Sequence, residues 1–90
     1  MKISVITVCF NSAQTIESTL RSVANQADAE VEHIVVDGAS TDNTATILQS
    51  HLHQLARVIS EPDRGIYDAM NKGVRVATGD VIGFLNADDV

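Results

Sequence analysis

Carboxylates collect at the ends of short apolar runs in this sequence. Asp37 closes Glu32-His33-Ile34-Val35-Val36-Asp37, and Asp88-Asp89 come shortly after Val81-Ile82-Gly83-Phe84-Leu85. Adjacent carboxylates are hard oxygen donors suited to Mg²⁺ or Mn²⁺. Singly, each site has an ordinary explanation. An Asp before Gly is common turn chemistry, and an Asp-Asp pair can simply end a strand. Other residues that could do chemistry fare less well. His51 and His53 are two apart and cannot form an i,i+4 metal pair on a helix. His33 enters a strand alone, as a surface or hydrogen-bonded histidine. Cys9 lies inside an apolar run and reads as a small hydrophobe. Tyr67 and Asp68 fit the first turn of a helix, where a carboxylate is favoured by the dipole. Asp63, in a loop with the only proline, could serve either turn or ligand.

The elements that must position these groups follow from periodicity. Ile3–Phe10 is a β-branched run too short for a helix and reads as a buried strand. Ser12 offers an N-cap to a helix with Ile16, Leu20, Val23 and Ala24 at helical spacing. After the strand ending at Asp37, Gly38–Asp42 form a turn that can cap a helix carrying Ile47, Leu48, His51, Leu52 and Leu55. Arg57–Ser60 is a short third strand. A loop through Pro62 leads to a third helix with Ile66, Ala69, Met70, Gly73, Val74 and Ala77 on its buried side, and Gly79 stands where a left-handed C-terminal cap belongs. Val81–Leu85 is the fourth strand. The order βαβαβαβ specifies an α/β fold, an open parallel sheet with helices on both faces. Parallel strands share one polarity, so Phe10-Asn11, Asp37-Gly38, Ser60-Glu61 and 86–89 all leave along one edge, where such sheets bind ligands. If strand one lies between strands two and four, Asp37 and Asp88 sit two strand spacings apart, roughly 10 Å. That approximates the distance from a nucleobase or ribose to its pyrophosphate, and a diphosphate beside carboxylates requires a bridging divalent cation.

Composition narrows the classes further. Ninety residues give room for one domain spanning 1–90, and 44% hydrophobic residues permit a packed core. Six basic against twelve acidic residues, a net charge of -6, argue against nucleic-acid binding. No apolar run approaches the roughly 20 residues of a membrane span. The opening Met1-Lys2-Ile3-Ser4 lacks a signal-peptide pattern, and the single Cys fits a reducing compartment, so the expected location is cytoplasmic. The exit of strand one has no glycine, which excludes G-x-G-x-x-G and P-loop nucleotide sites. Val35 stands where a haloacid-dehalogenase-type phosphatase needs Asp, and Asn11 where a receiver domain needs an acid.

Four blocks then resemble, in order and over the whole chain, the N-terminal half of the family 2 glycosyltransferases with their GT-A fold. Val5-Ile6-Thr7-Val8-Cys9-Phe10-Asn11 is similar to V-I-I-P-T-Y-N. The run from Val35 to Thr44 is similar to V-I-D-G-G-S-T-D-G-T. Phe84-Leu85-Asn86-Ala87-Asp88-Asp89 is similar to F-L-D-A-D-D, the D-x-D region. The run from Ser60 to Gly73 resembles a subset among bacterial enzymes of surface-polysaccharide assembly. The resemblance implies nucleotide-sugar binding, with Phe10 and Asn11 lining the nucleoside pocket, Asp37 on the nucleobase, Asn86 at the ribose position, and Asp88, supported by Asp89, holding Mn²⁺ or Mg²⁺ on the diphosphate. It places the Asp42 region in a fold role. Val8 replaces the usual Pro, Asn86 the first Asp of D-x-D, and Met70 a common Arg. Arg64 and Lys72 read as solvated helix-face charges.

By the same resemblance, the acceptor site and general base lie beyond the D-x-D region, so no catalytic residue is expected within this chain. The expectation is a partial, donor-binding domain of an inverting, metal-dependent enzyme, inactive alone; the alternative is a truncated, catalytically inactive nucleotide-binding fragment. Expected partners are a nucleotide-diphosphate sugar, a saccharide or lipid-linked acceptor, and a second copy pairing through the open sheet edge. The inner face of the membrane is an alternative location.

Overall fold

The computed structural model describes residues 1–25 and 30–87, apart from the side chains of Gln54 and Ile66. Asp88, Asp89 and the expected burial of Ile66 therefore lie outside the described residues. The order is β1 (Lys2–Cys9), α1 (Ile16–Ala24), β2 (Glu30–Asp37), α2 (Thr44–Ser50), a 3₁₀ turn (Leu52–Gln54), β3 (Arg57–Ser60), α3 (Ile66–Val76) and β4 (Val81–Asn86). All strands are parallel, in the order β3-β2-β1-β4, so β1 does lie between β2 and β4.

The two central strands are covered on both faces, which is why they read as unbroken apolar runs. Cys9, Val35, Ile16, Leu20 and Leu48 form one core beneath α1 and α2. Ile6, Val8, Ile34, Val36 and Ala69 form the other beneath α3. Gly73 permits α3 to approach closely: a Cβ there would lie 2.5 Å from Ile6 Cγ2. His33 is buried and its Nε2 lies 2.7 Å from Thr7 Oγ1; burial lowers its pKa to about 4.

At the amino edge, Glu32 clasps β1 to the approach to β4. Its carboxylate accepts from Thr78 N (2.8 Å), Thr78 Oγ1 (2.7 Å) and Ser4 Oγ (2.8 Å), and pairs with Lys2 at 3.3 Å. These bonds, the Thr78 backbone N–H first, lower the Glu32 pKa to about 2.

Several local expectations are corrected. Phe10 lies beyond β1 and is 54% exposed. The Ser12 carbonyl, not its hydroxyl, opens α1, accepting from Ile16 N at 2.8 Å; the Ser12 hydroxyl bonds Phe10 instead. The second helix stops at Ser50, and the tighter 3₁₀ turn after it carries Leu52 off the apolar face to 44% exposure. Val74 is also exposed, and Val76 packs on the core in its place. Gly79 does not adopt a positive φ. It is needed for close approach, because a Cβ would lie 2.5 Å from Ser4 Oγ and 2.7 Å from Ser4 N. Strand β4 pairs only with β1 among the described residues and exposes Val81, Ile82, Phe84 and Leu85.

Candidate functional site

The carboxyl edge is built by register. Cys9 pairs with Asp37 and Asp37 with Ser60, while Val8 pairs with Asn86. The parallel ladder runs on past the strands through Gly38 N to Cys9 O (2.9 Å), Glu61 N to Asp37 O (3.0 Å) and Ala87 N to Val8 O (3.1 Å). All four exits therefore leave side by side.

Asp37 is completely buried at this edge. Its carboxylate accepts the Ser40 hydroxyl, Ser40 N at 3.3 Å and the Ser60 hydroxyl at 3.1 Å, with Cys9 Sγ 3.7 Å away. Both oxygens are thus engaged by the turn after β2 and the end of β3. Asn11 is likewise engaged. Its Oδ1 accepts Thr41 N at 2.8 Å, and its own N–H donates to Ser40 Oγ at 2.8 Å. Asn11 has φ 49° and Ala39 φ 63°, both left-handed; asparagine accepts this readily, whereas alanine does so at a cost.

Two further bonds lace these loops together. Ser12 N donates to Thr44 Oγ1 at 2.8 Å, and Ala13 N to Asp42 Oδ2 at 3.2 Å. Asp42 also accepts the Thr44 hydroxyl and N–H, at 2.6 and 2.9 Å; the hydroxyl is the main cause of its lowered pKa. Asp42 thus has the fold role assigned to its region.

Between the β1 exit, the 61–65 loop and α3 lies a cleft of about 260 Å³, lined by Val8, Cys9, Phe10, Asp63, Gly65, Ala69 and Asn86. A complete ligand pocket is usually roughly 300–1,000 Å³, so this volume suits one ring system of a larger ligand. Of the sequence-predicted site residues, Phe10 and Asn86 meet here. Asn11 and Asp37 do not line it; they shape the loops behind it. Among the described residues no three His, Cys, Asp or Glu side chains cluster to hold a metal.

Asp63 is the acid that faces the cleft. Its turn was readable from Pro62-Asp63-Arg64-Gly65, but the direction of its carboxylate was not. Oδ1 accepts Gly65 N at 3.1 Å, and Gly65, at φ 117°, opens α3 in a conformation that favours glycine. Lys72 corrects the reading of a solvated charge. It is mostly buried, donates to Pro62 O at 2.7 Å, and pairs with Glu61 (3.2 Å) and Asp68 (3.6 Å), fastening the loop to α3. Asp68 accepts Arg64 N at 2.9 Å, which with Lys72 lowers its pKa.

The sequence pattern of Glycosyl transferase family 2 matches residues 4–90. The chain belongs to that family. Its GT-A, α/β parallel-sheet architecture is the one expected. An uncharacterized glycosyltransferase of Mycobacterium tuberculosis is 42% identical over 88 residues, covering 97% of this chain and 34% of the relative. The chain thus spans about a third of that family member's length. The crystal structure of S. aureus TarS 1-349 in complex with UDP-GlcNAc superposes with a TM-score of 0.87 at 32% identity, covering 98% of this chain and 27% of that one. The mannosyltransferase PcManGT from Pyrobaculum calidifontis, in complex with GDP-Man and Mn²⁺, gives 0.86 at 32% identity, covering 96% and 27%.

Proposed function

We propose that this glycosyltransferase chain is the donor-binding portion of an inverting, metal-dependent enzyme. It would take a nucleoside-diphosphate sugar and serve transfer to a saccharide or lipid-linked acceptor in polysaccharide or glycoconjugate synthesis. The observation that carries the reading is the ring-sized cleft at the carboxyl edge, where Phe10 and Asn86 converge. The nucleotide-sugar complexes of the two structural neighbours support it.

In this reading the exposed Phe10 ring is the wall against which a base stacks, and Asn86 lies toward the ribose. Asn11 and Asp37 hold the two exit loops in shape. A direct bond from Asp37 to the base requires an oxygen to be released by Ser40 or Ser60. Asp88 and Asp89 follow β4 and are the proposed carboxylates for Mn²⁺ or Mg²⁺, which when bound offsets diphosphate charge. No residue here is assigned as the base that accepts the acceptor proton, and we infer that these 90 residues bind donor without transferring sugar. Cytoplasmic action is part of the proposal; no helix among the described residues is long and apolar enough to cross a membrane.

The test is amide chemical-shift mapping with UDP and Mn²⁺. The expected outcome is perturbation of Phe10, Asp63, Ala69 and Asn86, and none of Glu32 or Thr78 at the opposite edge. Perturbation centred elsewhere, or absent at millimolar nucleotide, overturns the assignment.

A further inference from the structure

Among the described residues lining the cleft, Asp63 carries the one carboxylate, and the geometry around it is specific. A Cβ on Gly38 would lie 2.8 Å from Asp63 Oδ2, 3.4 Å from Asp63 Cγ and 3.4 Å from Phe10 Cδ1. The space that any side chain at position 38 would fill is therefore occupied by the Asp63 carboxylate, and the edge of the Phe10 ring borders the same space. Oδ1 is already taken by Gly65 N at 3.1 Å. Oδ2 accepts no hydrogen bond among the described residues, and Asp37, the neighbouring acid, is fully buried with its oxygens engaged.

We infer that Asp63 is the specificity-determining residue for the nucleobase, its Oδ2 accepting the ring N–H of uracil or thymine stacked on Phe10. This rests on the donor-binding reading above and names the base class within it. An ionised carboxylate only accepts hydrogen bonds. Uracil and thymine present a single ring N–H on the edge opposite the sugar. Cytosine and adenine present a ring nitrogen lone pair there, which the carboxylate repels. Guanine presents two adjacent donors that match both oxygens of a free carboxylate, but only one oxygen is free here. Gly38 is part of the device, because any side chain at that position displaces the acid.

Two variants reach the same atom by different routes. Asp63→Asn keeps the shape and removes the charge; its amide can turn a donor toward cytosine. Gly38→Ala leaves every charge in place and pushes Oδ2 aside with a methyl group. Binding of UDP, CDP, GDP and ADP is measured by calorimetry with Mn²⁺ present, with thermal melts confirming the fold of each variant. The wild-type chain is expected to prefer UDP over CDP and ADP by tenfold or more, and over GDP by a smaller factor. Both variants are expected to lose UDP affinity about tenfold and to narrow the UDP-to-CDP ratio to within about threefold. Should one variant fail to fold, the other decides the matter. If UDP binds but the base ratios are the same in wild type and variants, or GDP binds more tightly than UDP, Asp63 does not select this base, while the donor-binding reading stands. If no nucleotide binds the wild-type chain, both readings fall.

Discussion

Removing the Asp37 carboxylate should cost fold stability before it costs any contact to ligand. The group is fully buried and accepts the hydroxyls of Ser40 and Ser60 and the N–H of Ser40. Three hydrogen bonds to a charged acceptor, at about 1.5–3 kcal/mol each, set an upper bound near 9 kcal/mol. The partners sit at the sheet edge and regain some water in the variant, so a loss of about 3–5 kcal/mol is expected for Asp37→Ala. That is a large part of the roughly 5–13 kcal/mol available to a chain of this size. Asp37→Asn keeps one acceptor, and the serine hydroxyls can reorient toward the amide, so a loss of about 1–2 kcal/mol is expected. Equilibrium urea unfolding followed by circular dichroism measures both. With a slope of about 1.5 kcal/mol per molar, Asp37→Ala should lower the midpoint by 2 M or more. A change in Asp37→Ala within about 0.5 kcal/mol of wild type would refute the structural role and return the carboxylate to the ligand.

Acid should weaken the fold in a window set by His33. Its folded pKa of about 4 lies below the ordinary 6.5, so the unfolded chain takes up a proton that the native chain refuses. Stability is full above pH 6.5 and falls by about 1.4 kcal/mol per unit toward pH 4. Glu32, with its folded pKa of about 2 against 4.5, adds a loss only below pH 4.5. The urea midpoint of His33→Gln should therefore be flatter than wild type between pH 6.5 and 4.5; equal slopes would exclude His33 as the cause. The exposed apolar strand β4 should pair with a second copy at micromolar concentration, and Phe84→Lys should weaken that pairing. Light scattering that shows a monodisperse wild-type monomer would count against it.

What the sequence disclosed and what it hid follow from the range of the interactions. Strand and helix identities are local. The β-branched run before Phe10 and the helical spacing of Ile16, Leu20 and Val23 placed β1 and α1 directly. The position of β1 between β2 and β4 was only a condition of the Asp37–Asp88 spacing, because strand order depends on long-range pairing, and the sheet meets that condition. Side-chain partnerships are not local. The enclosure of Asp37 depends on Ser40, three residues on, and on Ser60, which only strand register brings beside it. Lys72 looked like a surface charge because two of its partners, Pro62 and Glu61, lie ten or more residues back, in the loop before α3. Gly79 carried a helix-ending pattern, but its reason is the nearness of Ser4, far away in sequence. The same holds for Asp63, whose turn was visible and whose aim at Gly38 was not.

Calorimetric titration of UDP into the wild-type chain, in Mn²⁺ and then in EDTA, tests the central claim most directly, with Asp88→Asn as the paired variant. If the carboxyl edge binds a nucleoside diphosphate through a cation held by the acids after β4, wild-type affinity should fall tenfold or more in EDTA. Asp88→Asn should bind weakly and almost equally with and without Mn²⁺. Equal wild-type affinity in Mn²⁺ and EDTA, or an undiminished Mn²⁺ response in Asp88→Asn, would contradict the account and reduce Asp88-Asp89 to a strand-ending turn.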